Sequence, residues 1–237
     1  MFFLEANFPC YYPHAQLHGG VDIAGQMVDF LAAKSGSARP YNIRRVADTP
    51  DICSIDNFLN AGDCDSVLAR AAHIENEQPP EVRLKRDSTG FSFEMPIRGD
   101  ALLTQIASDI DRVVGMTNDL AITFRFRRYA AGESHCAHLD EYEMAVRRLV
   151  VTAILYLNNT EGGGETHFPH AKPAPLRIEP RQGRLSIWFN CRPDGSSEPA
   201  SLHESLPVTK GTKSTITTFI YKKIEDYAAA RAASPAF

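Results

Sequence analysis

Short β-type segments fill the second half of the chain and limit the folds that are open to it. From residue 120 onwards, runs rich in β-branched and aromatic residues alternate with Gly, Pro and Asn. The predicted strands are Leu120–Tyr129, Arg148–Leu157, Glu165–Phe168, Leu176–Glu179, Arg184–Asn190, Ser201–Val208 and Thr212–Lys222. Short strands in this number, joined by tight turns, predict a sandwich, a jelly roll or a barrel.

Helical periodicity is confined to the first half of the chain. Apolar residues recur at three and four in a helix predicted from about Val21 to Lys34, in one that follows Asn60, and in one from about Asp100 to Val114. Helices that precede strands predict a mainly β protein in which a helical layer packs on a β core. We divide the chain into an N-terminal extension packed on the core (1–50), a main domain (51–224) and an Ala-rich C-terminal tail (225–237).

Charge and cysteine content exclude several classes of protein. The 237 residues include 25 Lys and Arg against 29 Asp and Glu, a net charge of -4, whereas a nucleic-acid partner favours a basic surface. The five cysteines are scattered without a C-x-x-C pair, which fits a reducing compartment. No apolar run is long enough for a transmembrane helix, and the first residues lack a basic signal region. We expect a cytoplasmic protein with no nucleic-acid and no membrane partner.

The segment from Tyr129 to Asp140 carries the clearest chemistry. If His138-Leu-Asp140 is extended, its imidazole and carboxylate project from one face of a strand. His203, sixty-five residues further on, is the candidate third ligand. Two His and one carboxylate form the face that binds non-haem Fe(II) and leaves open positions. Lys213, ten residues after His203, places a cation where it can anchor the far carboxylate of a chelating 2-oxo acid.

Two other classes of site remain open at this point. His135, His138 and His203 could form a three-His zinc site of the hydrolytic type. Residues three apart on an extended strand point to opposite faces, so the geometry favours His138 with Asp140. A jelly roll that has lost its metal and serves as a binding scaffold is the other alternative, although none of the three ligand residues is missing.

Taken together, these motifs resemble the prolyl 4-hydroxylase-like family of Fe(II)/2-oxoglutarate dioxygenases. The resemblance covers roughly residues 52 to 222. Besides His-x-Asp, the distal His and the Lys ten residues later, it includes Ile55-Asp-Asn-Phe-Leu59, the Arg148 to Asn158 segment, Gly163-Gly-Glu-Thr166-His-Phe168 and Pro193-Asp-Gly-Ser196.

The resemblance implies a fold, a reaction and a set of residue roles. The fold is a double-stranded β-helix, a jelly-roll or cupin-like core. Fe(II) is bound by His138, Asp140 and His203, and 2-oxoglutarate is bound by Lys213 with Tyr129 and Thr166 in the same pocket. The reaction uses O2 to hydroxylate an unactivated C–H bond, with release of succinate and CO2, and ascorbate is expected to keep the iron reduced.

The substrate implied by the family is a prolyl residue of a peptide, and this chain departs from the family near that site. His135 replaces a frequent aromatic residue, and only seven residues separate Asp140 from Arg148, which shortens a connection that helps to cover peptides. A free amino acid or another small metabolite is therefore the alternative substrate. Arg148 and His135 are the candidate substrate contacts.

Several other residues are assigned structural places. The basic runs at 125–128 and 147–148 are expected on solvated strand faces, although a small acidic substrate could use one of these arginines. The remaining expectations are core packing for Trp188 and Cys136, a turn at Gly162–Gly164, and surface loops for His167 and His170.

Overall fold

A computed structural model describes residues 41–77, 90–118, 120, 122–144 and 146–233 of the chain. Backbone contacts divide the chain into Met1–Asn42 and Ile43–Phe237, and the helices and strands of the described residues lie in the second unit. The helix predicted at Val21–Lys34 and the linker that follows it lie outside the described residues.

The helices of the described part are α1 (Ala61–Glu77), α2 (Ala101–Val114) and α3 (Ile224–Ala233). Local capping fixes the starts of the first two, because Asn60 Oδ1 accepts from the amide of Asp63 and Asp100 Oδ1 accepts from the amide of Leu103. Gly115, in the left-handed conformation at φ 70°, ends α2. Both helices predicted in this region are confirmed.

The largest sheet, which we call the major sheet, is antiparallel and contains eight strands. They are β1 (Ile43–Ala47), β2 (Ile52–Ile55), β3 (Phe91–Pro96), β4 (Thr123–Tyr129), β6 (Glu143–Met144), β7 (Arg147–Tyr156), β11 (Leu185–Phe189) and β14 (Lys213–Lys222). Their order is β1-β2-β11-β7-β14-β4-β3, with β6 paired to β7 off this path.

The minor sheet is also antiparallel and contains four strands. They are β5 (His135–His138), β9 (Thr166–Phe168), β10 (Leu176–Ile178) and β12 (His203–Ser205), in the order β10-β9-β12-β5. A separate ribbon is formed by β8 (Gly162–Gly163) and β13 (Val208–Lys210).

A shared core joins the two sheets. Phe168 of β9 meets Trp188 of β11 with ring centroids 5.3 Å apart, and both side chains are fully buried. Tyr156 of β7 and Ile178 of β10 belong to the same cluster. The predicted fold class, a mainly β protein with a double-stranded β-helix core, is confirmed.

The predicted strands lie where the structure has strands, but some of their boundaries differ. Ser201–Val208, predicted as one strand, is a short 3-10 helix (Pro199–Ser201) followed by β12 and β13, with Leu206 and Pro207 between the two strands. Of the glycines expected in a turn, Gly162 and Gly163 form the short strand β8. Strands β1, β2 and β3 lie in segments where the sequence analysis predicts no strand.

The proposed division into 1–50, 51–224 and 225–237 stays a prediction. Within it, β1 pairs with β2 at the edge of the major sheet, and α3 occupies most of the Ala-rich C-terminal segment. In the part of the chain that the structure describes, no helix combines the length and hydrophobicity needed to cross a bilayer.

Candidate metal centre

A cavity between the two sheets collects most of the predicted site residues. It is lined from the major sheet by β4, β7 and β14 and from the minor sheet by β5, β9 and β12. The predicted residues that line it are Tyr129, His135, His138, Asp140, Thr166, His203 and Lys213. Arg148 is the predicted site residue that lies outside it.

His138, Asp140 and His203 form a compact triad at one end of this cavity. Their potential ligand atoms all lie within 4.8 Å of one another. His138 Nε2 is 3.6 Å from Asp140 Oδ1, and His203 Nε2 is 3.8 Å from Asp140 Oδ2. His203 and Asp140 are buried, and His138 is partly exposed. The triad therefore presents nitrogen and oxygen atoms to one common point.

Backbone carbonyls fix the tautomer of both histidines. His138 Nδ1 lies 2.8 Å from the carbonyl oxygen of Cys136, and His203 Nδ1 lies 2.9 Å from that of Ser201. A carbonyl only accepts, so each Nδ1 carries the proton and each Nε2 offers a lone pair. Burial lowers the pKa of His203, and this also favours the neutral imidazole that a metal binds.

Asp140 is held by a buried hydroxyl that the sequence analysis missed. Thr152 on β7 donates from Oγ1 to Asp140 Oδ2 at 2.7 Å, and Asn190 donates from Nδ2 to Thr152 Oγ1 at 2.9 Å. All three residues are buried. This chain of hydrogen bonds orients the carboxylate and leaves Oδ1 directed to the imidazole of His138.

Strand β5 departs from regular pairing, and this corrects the prediction for His135. His138 of β5 pairs with His203 of β12, and His135 of β5 pairs with Ser205 of β12. The paired residues are three positions apart on β5 but only two apart on β12. The extra residue is a β-bulge, which returns His135 to the face of His138. Their ring centroids are 4.3 Å apart. Asp140 lies just beyond the strand, and not on it as predicted.

His135 thus faces the cavity without belonging to the metal-binding cluster found among the described residues. Burial, reinforced by the neighbouring His138, lowers the pKa of His135 to about 4. It is a neutral imidazole at physiological pH. Contact of His135 with a substrate stays a prediction.

Lys213, the first residue of β14, lines the cavity and is buried. It is 2% exposed, and its Nζ donates to the carbonyl of Gly164 at 2.8 Å and to Ser205 Oγ at 2.6 Å. The ammonium lies 4.8 Å from the ring centroid of Tyr129, its partner on β4. Burial lowers its pKa to about 7. A buried cation with neutral hydrogen-bond partners is suited to receive an anion.

Thr166 and Tyr129 line the same cavity as Lys213. Thr166 Oγ1 is 2.7 Å from the hydroxyl of Tyr156, and both residues are buried. Burial raises the pKa of Tyr156 to about 12, so this phenol stays protonated.

Arg148 lies in a neighbouring depression. Its Nη1 donates to the carbonyl of Gly195 at 3.0 Å and its Nη2 to Glu143 Oε1 at 3.0 Å. It lines this depression with Asp140, Glu141 and Asn190. Contact with a substrate in the main cavity is therefore not part of the described geometry, and the role of Arg148 stays a prediction.

The assignment to core packing is confirmed for Trp188 and wrong for Cys136. Trp188 is fully buried but also lines the cavity, with its ring centroid 4.7 Å from that of His203. Cys136 is exposed. Of the two histidines expected in surface loops, His170 is exposed, whereas His167 lies on β9 and pairs with Glu204 at 2.8 Å.

The donor set fits an Fe(II) ion. Ligands about 2.1 Å from a metal and at right angles to each other lie roughly 3 Å apart. The two His–Asp separations, 3.6 and 3.8 Å, are close to this distance. Two imidazole nitrogens and one carboxylate on one side are the arrangement typical of non-haem Fe(II), with open positions opposite. Lys213 adds a cation for a cosubstrate carboxylate.

Sequence comparison places the chain among known proteins. A family model described as the 2OG-Fe(II) oxygenase superfamily matches residues 124–221. The chain is 28% identical over 202 residues to prolyl 4-hydroxylase 13 of Arabidopsis thaliana. This alignment covers 75% of this chain and 73% of the relative. It is 26% identical over 225 residues to prolyl 4-hydroxylase 2 of the same plant, with 81% and 74% covered.

Solved structures share the fold. The viral collagen prolyl hydroxylase of Paramecium bursaria Chlorella virus 1, in complex with 2-oxoglutarate, aligns with a TM-score of 0.60 at 21% identity, covering 74% of this chain and 98% of that one. A Trichoplax adhaerens prolyl hydroxylase bound to a hypoxia inducible factor peptide fragment aligns with a TM-score of 0.54 at 20% identity. The alignment covers 77% of this chain and 87% of that one.

Fold and donor set together define a class, the non-haem iron dioxygenases that use 2-oxoglutarate as cosubstrate. The family model matches the part of the chain that contains the triad and Lys213, and the relatives confirm the predicted resemblance to prolyl 4-hydroxylases.

Proposed function

We propose that this protein hydroxylates an unactivated C–H bond of a prolyl residue and converts 2-oxoglutarate to succinate and CO2. One observation carries the proposal: a buried lysine with neutral partners shares a cavity with a His, Asp, His triad. The prolyl target is supported by the Arabidopsis relatives, which are named prolyl 4-hydroxylases.

The triad residues would hold Fe(II) through His138 Nε2, His203 Nε2 and Asp140 Oδ1. Bound iron with 2-oxoglutarate supplies the oxidising power that no amino-acid side chain has. The protein provides orientation, because the carbonyls of Cys136 and Ser201 fix both imidazoles, and Thr152 fixes the carboxylate.

Lys213 would bind the distal carboxylate of 2-oxoglutarate. The approach of a carboxylate raises the pKa of the ammonium from its depressed value of about 7, so the pair is charged when bound. Thr166 and Tyr129 limit the space around this carboxylate. Because Lys213 is buried, water would be excluded from the side of the cosubstrate that it binds.

The target residue would enter from the open side, beside His135 and Tyr142. Tyr142 lines the cavity and is 56% exposed, so it marks the mouth. A peptide as substrate is supported by the Trichoplax adhaerens relative, which binds a peptide fragment. Ascorbate is proposed as the reductant that restores iron oxidised without substrate turnover, and the reducing cytoplasm as the compartment.

A free amino acid or other small metabolite is the second candidate. The connection from Asp140 to β7 is the short hairpin of β6, which leaves little chain to cover an extended peptide. This observation favours a small substrate, whose binding surface is the cavity itself.

Succinate release across proline-rich peptides, free L-proline and related amino acids tests the proposal, with mass spectrometry for a gain of one oxygen. His138→Ala and Asp140→Ala should both abolish succinate release, because each removes one ligand of three. His170→Ala, an exposed histidine outside the cavity, is the matched control and should leave the rate unchanged. Turnover retained in both ligand variants would refute the metal assignment.

A further inference from the structure

Strand β4 presents two arginines to the cavity. Alternation along the strand places Arg125, Arg127 and Tyr129 on one face, and all three line the cavity. Phe126, between them, is buried on the opposite face, where Arg128 pairs with Glu75 of α1 at 2.6 Å. The expected solvated strand face holds for the exposed Arg125, but the same face lines the cavity, where Arg127 is only partly exposed.

Arg127 lines the cavity next to Tyr129 on the same face of β4. Its Cζ is 5.9 Å from the ring centroid of Tyr129, and Thr215 is its partner on β14. Its charge contributes to the lowered pKa of Lys213 on the major sheet and of His135 on the minor sheet. Arg127 is thus within electrostatic range of both residues.

Arg125 lies one step further along the same face. Its partner on β14 is Thr217, and its Cζ is 5.7 Å from the ring centroid of Phe219. Its Nε donates to Glu94 Oε1 at 2.8 Å, and both side chains are 47% exposed. Glu94 neutralises part of this charge, and Arg125, unlike Arg127, is not among the charges that lower the pKa of Lys213 and His135.

The cosubstrate does not require either arginine for charge balance. Lys213 matches the distal carboxylate of 2-oxoglutarate. The two charges of Fe(II) match Asp140 and the remaining carboxylate of the 2-oxo acid. A guanidinium that faces the same cavity adds positive charge to the loaded site, and a planar guanidinium binds carboxylates in a bidentate way.

We propose that Arg127, assisted by Arg125, binds a carboxylate of the substrate, so that the enzyme selects substrates with an acidic group close to the hydroxylated C–H bond. This inference rests on the proposed hydroxylase function and specifies its substrate class. The carboxylate can be the α-carboxylate of a free amino acid or an acidic side chain next to the target in a peptide, since the same chemistry recognises both.

The experiment compares carboxylates with their neutral amides. The probes are free L-proline against L-prolinamide, other amino acids against their amides, and acetyl-Gly-Pro-Glu-amide against acetyl-Gly-Pro-Gln-amide. Binding is followed by the fluorescence of Trp188, the single tryptophan of the chain, which lies at the cavity. Succinate release is measured with each probe and also without substrate.

Arg127→Gln should weaken binding of the carboxylate probes roughly 10- to 100-fold, because a charge-assisted pair is lost, and should leave binding of the amides unchanged. The 2-oxoglutarate requirement and the succinate formed without substrate should not change. Arg128→Gln, one residue along but on the opposite face, is the matched control and should have no effect on either probe.

The outcomes separate three cases. A preference confined to free amino acids or to acidic peptides supports the proposal and identifies the source of the carboxylate. Carboxylates that bind no better than their amides overturn the proposal. An Arg127→Gln variant that raises only the 2-oxoglutarate requirement also overturns it, because the arginine then binds the cosubstrate. Absence of succinate with and without every probe overturns the proposed function itself, and this inference with it.

Discussion

Replacing Thr152 with Val isolates the contribution of the hydroxyl that orients Asp140. Thr152 is 1% exposed on the central strand β7, and Val keeps its shape and its preference for a strand. The change removes the 2.7 Å hydrogen bond to Asp140 Oδ2 and the acceptor of Asn190 Nδ2. The triad itself stays complete, so the variant tests orientation alone.

The expected magnitude follows from linkage between metal binding and folding. Loss of a hydrogen-bond partner of a metal ligand typically costs 10- to 100-fold in metal affinity, and we take about thirtyfold. Metal at about 100 times the wild-type Kd stabilises the folded protein by about 2.7 kcal/mol. The same concentration is only about 3 times the Kd of Thr152→Val, which leaves about 0.9 kcal/mol. For a domain of this size, the metal-induced rise in Tm should fall from about 5–11 °C to about 2–4 °C.

Thermal unfolding with and without Fe(II) under anaerobic conditions measures this shift, and Mn²⁺ can replace Fe(II) in air. The metal-free Tm is recorded separately, because Asn190 loses its acceptor and the variant is less stable at the outset. Thr218→Val is the matched control: Thr218 is buried on β14, accepts from Asn118 Nδ2 at 3.2 Å and does not line the cavity. The control should lower the metal-free Tm and keep the full metal-induced shift. An undiminished shift in Thr152→Val would show that its hydroxyl does not tune the metal site.

Two further predictions concern the cosubstrate and the fold. The pKa of about 7 for Lys213 means that free protein loses the required ammonium as pH rises, so the Kd for 2-oxoglutarate should be constant below pH 7 and rise up to roughly tenfold per pH unit above it. Calorimetry across pH measures this, and Lys213→Met should bind weakly at every pH, whereas a slope retained in that variant would assign it to another group. Gly183→Ala should lower the free energy of unfolding by about 2–4 kcal/mol, because its φ is +76° and a Cβ would overlap the carbonyl oxygen of Leu59. Gly99→Ala, at φ +89° with open space, should cost only about 1–2 kcal/mol in the same urea titration, and equal losses would contradict the steric argument.

Periodicity predicted the elements that bury a regular face. Helix α2 buries Leu103, Ile106, Ile110 and Val114, which repeat at three and four. Strands β7 and β14 are long and β-branched, and the sequence shows them directly. Strand β2 is four residues long and buried throughout, so it has no alternation to detect, and β1 carries adjacent arginines that hide its pairing.

The triad could be predicted because its residue types are few and their spacing is chemically restrictive. The place of His135 could not, because the face that a side chain occupies depends on the bulge in β5, and a bulge is a property of two strands together. Thr152 and Asn190 are 38 residues apart and meet only through the pairing of β7 with β11. Likewise, alternation places Arg125 and Arg127 on one face of β4 but does not say whether that face meets solvent or a cavity.

His138 and His203 are direct partners across β5 and β12, at the pair from which the register slips. A metal held by both imidazoles is therefore a cross-link between two short strands, added by side chains where backbone pairing is irregular. The four-stranded minor sheet then owes part of its cohesion to the metal. As free iron falls, opening of this sheet costs less, and exposure to proteases rises at the strand that carries the ligands. Removal of the metal should therefore shorten the lifetime of the folded protein.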